Sequence, residues 1–308
     1  MRFVTGLPSR IQLVEVAPRD GLQAEARTLT TEAKLELISR LADAGHTIIE
    51  ATSLVSPTAV PQLADAEELL RRLKRRPGVR YPVLVPNEKG LDRAMAAGVD
   101  DIAVFASASD SYSRKNLNRP RDEALAAYAP VVRGAKDAGK RVRGYLSMVI
   151  ADPWDGPTSH QTVRECCQWL LDFGVDELSL GDTTGVGAAG EIDALLVSLI
   201  DDGIPVAKIA MHFHDTYGQA LANVMAAMAR GVTTFDTSTG GIGGSPFAKM
   251  AGGNLATEDL LWMFKGSGIA TGVDLAATVS TARWLSSALG HELPAHVSRA
   301  AVSSDERA

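Results

Sequence analysis

Two histidines two residues apart, His212 and His214 in KIAMHFHD, are the sharpest chemical signal in the chain. In an extended strand both imidazoles point to one face, about 7 Å apart. Two ring nitrogens so placed can share one metal ion. The bland alternative is a pair of packed structural histidines. A carboxylate is offered by Asp20, in the stretch APRDGLQ. Two imidazoles, a carboxylate and an amide, with positions left open, suit Mg²⁺, Mn²⁺ or Zn²⁺. No thiolate lies nearby in sequence, which argues against a structural zinc.

Further polar residues sit at the ends of short β-branched runs: Arg19, then Glu50, Thr52 and Ser53, then Arg143 and Tyr145, then Ser179, Asp182 and Thr183. After the last run comes TGGIGGSPFAKMAGGN, with Gly240, Gly241, Gly243, Gly244, Gly252 and Gly253. So many glycines cost entropy unless motion or a close backbone approach is needed, so this loop is expected to act as a lid. Phosphate cradling is a weaker reading, because no GK[ST] follows.

These residues need elements to hold them. Strand-like runs occupy 11–17, 46–52, 81–86, 101–107, 141–148, 177–182, 208–215 and 233–239. Helical patterns fall between them, as at 31–44, 61–76, 122–138 and 218–230. A glycine precedes each later strand: Gly45, Gly78, Gly98, Gly139, Gly174, Gly203 and Gly231. Each is read as a helix stop in the left-handed conformation. The pattern predicts an α/β chain folded as a (β/α)8 TIM barrel over about 11–265, with extra C-terminal helices over about 273–298. Residues 1–308 are then one catalytic domain. A doubly wound sheet would want a Gly-rich turn after the first strand, and APRDGLQ is not one. In a barrel the strand ends form the active face, and strands one and eight close beside each other. Asp20 is thereby brought near the histidines of strand seven.

Composition agrees. The 308 residues are 45% hydrophobic and 22% charged, which excludes a disordered chain or a fibre. A net charge of −6 argues against nucleic acid as partner. The adjacent Cys166 and Cys167 are expected to be free thiols packed in the fifth helix, in a reducing compartment. No apolar run is long enough to span a membrane, and neither a signal core nor a C-terminal address is evident. The expectation is a soluble, cytoplasmic protein.

VEVAPRDGLQ (14–23), IIEATS (48–53), YPVLVPN (81–87), SLGDTTGVG (179–187), HFHDTYGQALAN (212–223) and GGIGGSPFAKMAGGNLATEDL (240–260) together resemble the hydroxymethylglutaryl-CoA lyase family. That family is one of the metal-dependent aldolase and condensing-enzyme barrels, with isopropylmalate synthase among their members. The similarity covers about 11–290. It implies a carbon–carbon lyase of leucine catabolism, acting on an acyl-CoA by retro-Claisen cleavage. It implies a divalent metal, Mg²⁺ or Mn²⁺ before Zn²⁺, held by Asp20, His212, His214 and Asn254. Arg19 would stabilise charge at the thioester oxygen. Glu50 and Asp182 would shape the acid–base network, with Asp182 or His212 transferring the proton. Gln23, Ser53, Tyr145, Ser179 and Thr183 would line the substrate pocket, and Glu258 would support the lid. A homodimer is compatible with the family.

One position departs from the pattern. Family lyases carry a cysteine in a GGCPYA-like lid, where this chain has GGSPFA with Ser245. A free thiol titrates near pH 8.5 and can serve as an acid, whereas a serine hydroxyl is far weaker. Three readings follow: a slower hydroxymethylglutaryl-CoA lyase, a lyase of a relative such as citramalyl-CoA or a longer 3-hydroxy-3-alkylglutaryl-CoA, or an enzyme that runs in the condensing direction. A pyruvate-type aldolase and a non-catalytic barrel are the rival classes. Arg114 and Lys115, beside Asn116 after the fourth strand, are candidates for CoA phosphates. The run RRLKRR (71–76) is read instead as a solvated face closing the second helix. Trp154, in DPWDG, is a further candidate for substrate contact.

Overall fold

The computed structural model describes residues 6–244 and 252–305. Its strands are β1 (Gln12–Glu15), β2 (Thr52–Ser53), β3 (Val83–Leu84), β4 (Asp101–Ser107), β5 (Arg141–Ser147), β6 (Ala151–Asp152), β7 (Gly156–Pro157), β8 (Glu177–Asp182), β9 (Ile209–Phe213) and β10 (Thr234–Thr237). The helices are α1 (Thr31–Asp43), α2 (Ala66–Arg72), α3 (Glu88–Ala96), α4 (Asp110–Leu117), α5 (Arg121–Asp137), α6 (His160–Phe173), α7 (Ala189–Asp201), α8 (Ala220–Ala229), α9 (Thr257–Ser267), α10 (Leu275–Leu289) and α11 (His296–Asp305).

Apart from the β6–β7 hairpin, the strands form one parallel sheet in the order β1-β10-β9-β8-β5-β4-β3-β2. Its two ends meet. The Glu15 N–H donates to Ile48 O at 3.0 Å, and the Glu50 N–H donates to Glu15 O at 2.9 Å. The sheet is therefore closed, and the (β/α)8 barrel forms as the sequence pattern predicts. All seven glycines read as helix stops have positive φ, between 65° and 106°. At Gly45 the requirement is also steric, since a Cβ there would lie 2.4 Å from Gly272 O.

The departures are local. The second and third strands are regular over only two residues each, with isolated bridges at Ile48 and Ile49. Pro82 and Pro86 flank β3 and have no N–H to give the ladder. The predicted helix over 61–76 is a 3₁₀ turn at Pro61–Leu63 followed by α2, which stops at Arg72 because Leu73 turns extended. RRLKRR is thus mostly a loop. It is solvated, as expected: Arg72 pairs with Glu32 and Glu68, and Arg76 with Asp43. The helix α4 was not foreseen. DSYSRKNL has no apolar stripe, and its start is set by Ser109, whose Oγ accepts from the Tyr112 N–H at 2.9 Å.

The aliphatic core lies between the strands and their helices, as with Leu37, Ile38 and Leu41 on α1. The barrel interior is polar near its mouth instead. α10 packs against α1, with the Arg40 guanidinium 5.0 Å from the Trp284 ring. α11 reaches Asp305, beyond the expected boundary, and is started by Asp259 of α9, which accepts from the His296 and Val297 N–H groups. Among the described residues no helix is long and apolar enough to cross a membrane.

Candidate active site

The chain leaves β1 through a buried π-helical turn, Ala17–Gly21. Val16 O accepts the N–H groups of Arg19, Asp20 and Gly21, which turns the Arg19 and Asp20 side chains into the barrel mouth. Gly21 has no alternative, because a Cβ would fall 2.6 Å from Ile242 Cγ1. Arg19 Nε donates to Glu50 Oε2 at 2.7 Å, and its Nη1 donates to Asp20 Oδ1 at 2.6 Å. Gln23 Nε2 adds a bond to Asp20 Oδ1, and Asn254 Nδ2 adds one to Asp20 Oδ2, at 2.9 and 2.8 Å.

β9 presents His212 and, just beyond its end, His214 on the same face. Their Nε2 atoms lie 3.2 Å apart, and His212 Nε2 is 3.9 Å from Asp20 Oδ2. The other ring nitrogens are occupied. His212 Nδ1 lies 3.1 Å from Asp236 Oδ2, and His214 Nδ1 lies 3.0 Å from Gly252 O. A carbonyl or a carboxylate can only accept, so each Nδ1 is the donor, and in the neutral ring each Nε2 keeps a lone pair. Two lone pairs and a carboxylate oxygen thus converge, with all three ligand atoms within 4.8 Å of one another. Asn254 Oδ1 is buried nearby without a hydrogen-bond partner. The donor set fits a divalent cation. Nitrogen lone pairs facing each other need a positive charge between them, and an orphaned amide oxygen needs an electrophile.

Burial works against the His212 imidazolium, but the Asp236 hydrogen bond and the Asp20 and Asp236 charges outweigh it and raise its pKa. Burial works against the Asp20 carboxylate, but Arg19 and the two imidazoles outweigh it and hold its pKa below the usual range. Burial, with His212 alongside, pushes His214 down to about 4, so that imidazole is neutral near pH 7. Burial raises the Glu50 carboxyl against the pull of Arg19.

Asp182, at the end of β8, is held differently. Its Oδ2 accepts from the Gly187 N–H at 2.8 Å, while its buried Oδ1 has no hydrogen-bond partner. Burial raises its pKa against that backbone bond. Tyr145 stands between two guanidiniums, with Arg19 and Arg143 at 5.2 and 5.1 Å from its ring, and its hydroxyl is buried and unpartnered. Thr183 Oγ1 accepts from the Met148 N–H at 3.3 Å, and Ser53 Oγ donates to Leu84 O at 3.4 Å. Ser179 donates to Asp236 at 2.8 Å.

Arg19, Asp20, Gln23, Glu50, Tyr145, His212, His214 and Asn254 therefore form one connected cluster. Arg114 and Lys115 lie apart from it on α4, where Arg114 pairs with Asp110 and Lys115 sits 4.0 Å from the Trp154 ring. Ser245 falls outside the described residues. Cys166 and Cys167 are free and buried on α6, with burial raising the Cys166 thiol to about 11. In the sequence Arg143 stands only among the polar strand-end residues, without a role, and neither Asp236 nor Glu15 is singled out. Glu15 is fully buried. It accepts from the Ala17 N–H, from both the N–H and hydroxyl of Thr239, and from the Thr257 hydroxyl. An acid among the apolar residues of LVEV was the available signal for Glu15, whereas Asp236 lies among threonines in TTFDTST and gave none.

A family model described as HMGL-like matches residues 10–285. The chain is 44% identical over 293 residues to the mitochondrial hydroxymethylglutaryl-CoA lyase of Bos taurus, covering 95% of this chain and 90% of that protein. It is 45% identical over 294 residues to the cytoplasmic 3-hydroxy-3-methylglutaryl-CoA lyase of Danio rerio, covering 96% and 88%. A solved HMG-CoA lyase from Acinetobacter baumannii, in complex with coenzyme A and 3-methylmalate, superposes with a TM-score of 0.91 at 33% identity, over 96% of this chain and 97% of that one.

Proposed function

This chain belongs to the HMGL-like family, and on that premise we propose that it is a divalent-metal-dependent carbon–carbon lyase cleaving 3-hydroxy-3-methylglutaryl-CoA or a close relative. The products are acetyl-CoA and a keto acid. The observation that carries the reading is the convergence of two Nε2 lone pairs and Asp20 beside the unpartnered Asn254 Oδ1.

Asp20, His212, His214 and Asn254 would hold the ion, with Mg²⁺ or Mn²⁺ favoured over Zn²⁺ by the two oxygen donors. When bound, such an ion acidifies the substrate's tertiary hydroxyl and fixes it in place. A base then takes the hydroxyl proton, the C2–C3 bond breaks, C3 becomes a ketone, and the electrons pass to the thioester enolate. Asp182 is favoured over His212 as that base. Both His212 nitrogens are committed, to Asp236 and to the ligand cluster, whereas Asp182 Oδ1 is buried, unpartnered and on a carboxyl with a raised pKa.

Arg19 stabilises the enolate oxygen. It cannot lose its charge, and Glu50 fixes its orientation through Nε. Tyr145 stacks against it, and Gln23, Ser53 and Thr183 complete the substrate wall. Ser179 belongs to the same wall, although its hydroxyl is turned to Asp236. Arg114 and Lys115 take the CoA phosphates at the rim. Ser245 replaces the acid thiol of the family lid, so protonation of the enolate falls to Asp182 or water. The two free cysteines support a reducing compartment, which we take to be the cytoplasm, and a homodimer remains the family expectation.

Purified protein with Mn²⁺ or Mg²⁺ is to be offered hydroxymethylglutaryl-CoA, citramalyl-CoA and 4-hydroxy-2-oxoacids. Release of acetyl-CoA from one of the thioesters is expected. Cleavage of the oxoacids alone would move the chain to the aldolases, and no turnover at all would overturn the lyase reading. In Ser245→Cys, a strong rise with hydroxymethylglutaryl-CoA identifies that thioester as the substrate of a standard site lacking its acid.

A further inference from the structure

Behind the ligand cluster, on the inner wall of the barrel, lies a second charged group made by four consecutive strands, β5, β8, β9 and β10. Arg143 of β5 donates through Nη2 to Asp236 Oδ1 of β10 at 2.6 Å. Asp236 Oδ2 accepts from the Ser179 hydroxyl of β8 at 2.8 Å and faces His212 Nδ1 of β9 at 3.1 Å. The side chains of Arg143 and Asp236 are 5% and 1% exposed. Burying such a pair is costly, and an apolar pair of similar volume is often as stable, so its presence calls for a reason beyond stability.

We infer that Asp236 is a positioning residue for the metal-binding face of His212. Held by Arg143 and Ser179, its carboxylate keeps the imidazole proton on Nδ1, which leaves the Nε2 lone pair aimed at Asp20 and His214. Arg143 supplies the countercharge that lets this carboxylate stay ionised inside the barrel. Its Nε also lies 3.1 Å from Glu177 Oε1, an ion pair without a hydrogen bond, so Nη2 is the end that Asp236 fixes. This rests on the metal reading above but is independent of which thioester is cleaved.

Asp236→Asn tests it with little change of shape. Oδ1 must still accept from Arg143, so the new amide NH₂ faces His212 Nδ1. A donor there forces Nδ1 to accept and moves the ring proton to Nε2, where it blocks the ligand lone pair. Titration with Mn²⁺ alone is expected to show an affinity lower by about 10- to 100-fold. Long-range ¹H–¹⁵N spectra of the metal-free protein read the tautomer directly. His212 is expected to carry its proton on Nδ1 in the wild type and on Nε2 in the variant. The wild-type spectrum decides even if the variant does not fold. A wild-type proton on Nε2, or unchanged Mn²⁺ affinity in Asp236→Asn, overturns the inference while leaving the lyase reading intact. A wild-type chain that binds no Mn²⁺ overturns both together.

Discussion

The two imidazoles that face each other in the barrel mouth are held from opposite sides by unlike means. His212 is backed by a carboxylate, itself fixed by a guanidinium and a hydroxyl, all on barrel strands. His214 is backed by a single main-chain carbonyl, Gly252 O, on the stem of the glycine-rich loop. The fourth donor, Asn254, comes from the same stem and is joined to His214 by an antiparallel bridge. Half of the cluster is therefore preformed by the barrel wall. The other half depends on where the loop stem lies. Whatever brings the donors together must also fix the stem, and the coupling is reciprocal: a settled stem raises affinity for the ion.

The largest expected effect is on the wall side. His212→Ala or Asp20→Asn should abolish turnover and lower Mn²⁺ affinity by more than about a hundredfold, beyond the usual cost of losing an outer partner alone. Retained activity in either would break the assigned ligand set. Asp182→Asn lies on neither side. Its kcat should fall by about 10²- to 10⁴-fold with Mn²⁺ affinity unchanged, separating proton transfer from ion binding. On the stem side Asn254→Ala should cost only about tenfold in Mn²⁺ affinity, at the low end for a metal site. A loss equal to that of His212→Ala would erase the contrast. The smallest effect is in hydrogen exchange. The Asp215 and Leu255 N–H groups, bonded to Gly253 O and Phe213 O, should slow on adding Mn²⁺, while the β10 amides stay as they were.

Both ends of the loop also carry a pH signature. Burial raises Glu15 and Glu258 from 4.5 to about 7. Glu15 holds Thr239 and Thr257, and Glu258 holds the Gly240 N–H and the Ser298 hydroxyl. The folded protein keeps these protons at a pH where the unfolded chain has lost them. Stability therefore falls as pH rises from about 4.5 to 7, by roughly 3 kcal/mol per carboxyl. Urea midpoints at either end of that range should draw closer in Glu258→Gln.

What was legible in the chain was whatever is written locally. The helix-stopping glycines, the histidines at period two and the turn after the first strand each carry their signal within a few residues. Ser245 stood out only against a family pattern, and its surroundings lie outside the described residues. Asp236 escaped, and Arg143 was named without a role, because their meaning is non-local. They lie 93 residues apart and meet only when the barrel closes. Strands two and three were overdrawn because apolar runs suggest long ladders, while the prolines of YPVLVP remove the donors that such ladders need.

The bond from Asn254 to Asp20 spans 234 residues, and that from Thr257 to Glu15 spans 242. A ribosome adding about 5–20 residues per second takes roughly 10–50 seconds to cover such a distance. Throughout that time Glu15 and Asp20 are exposed without the groups that later enclose them, and β1 has an open edge where β10 will lie. The nascent barrel thus has its first strand made early and completed only by the last.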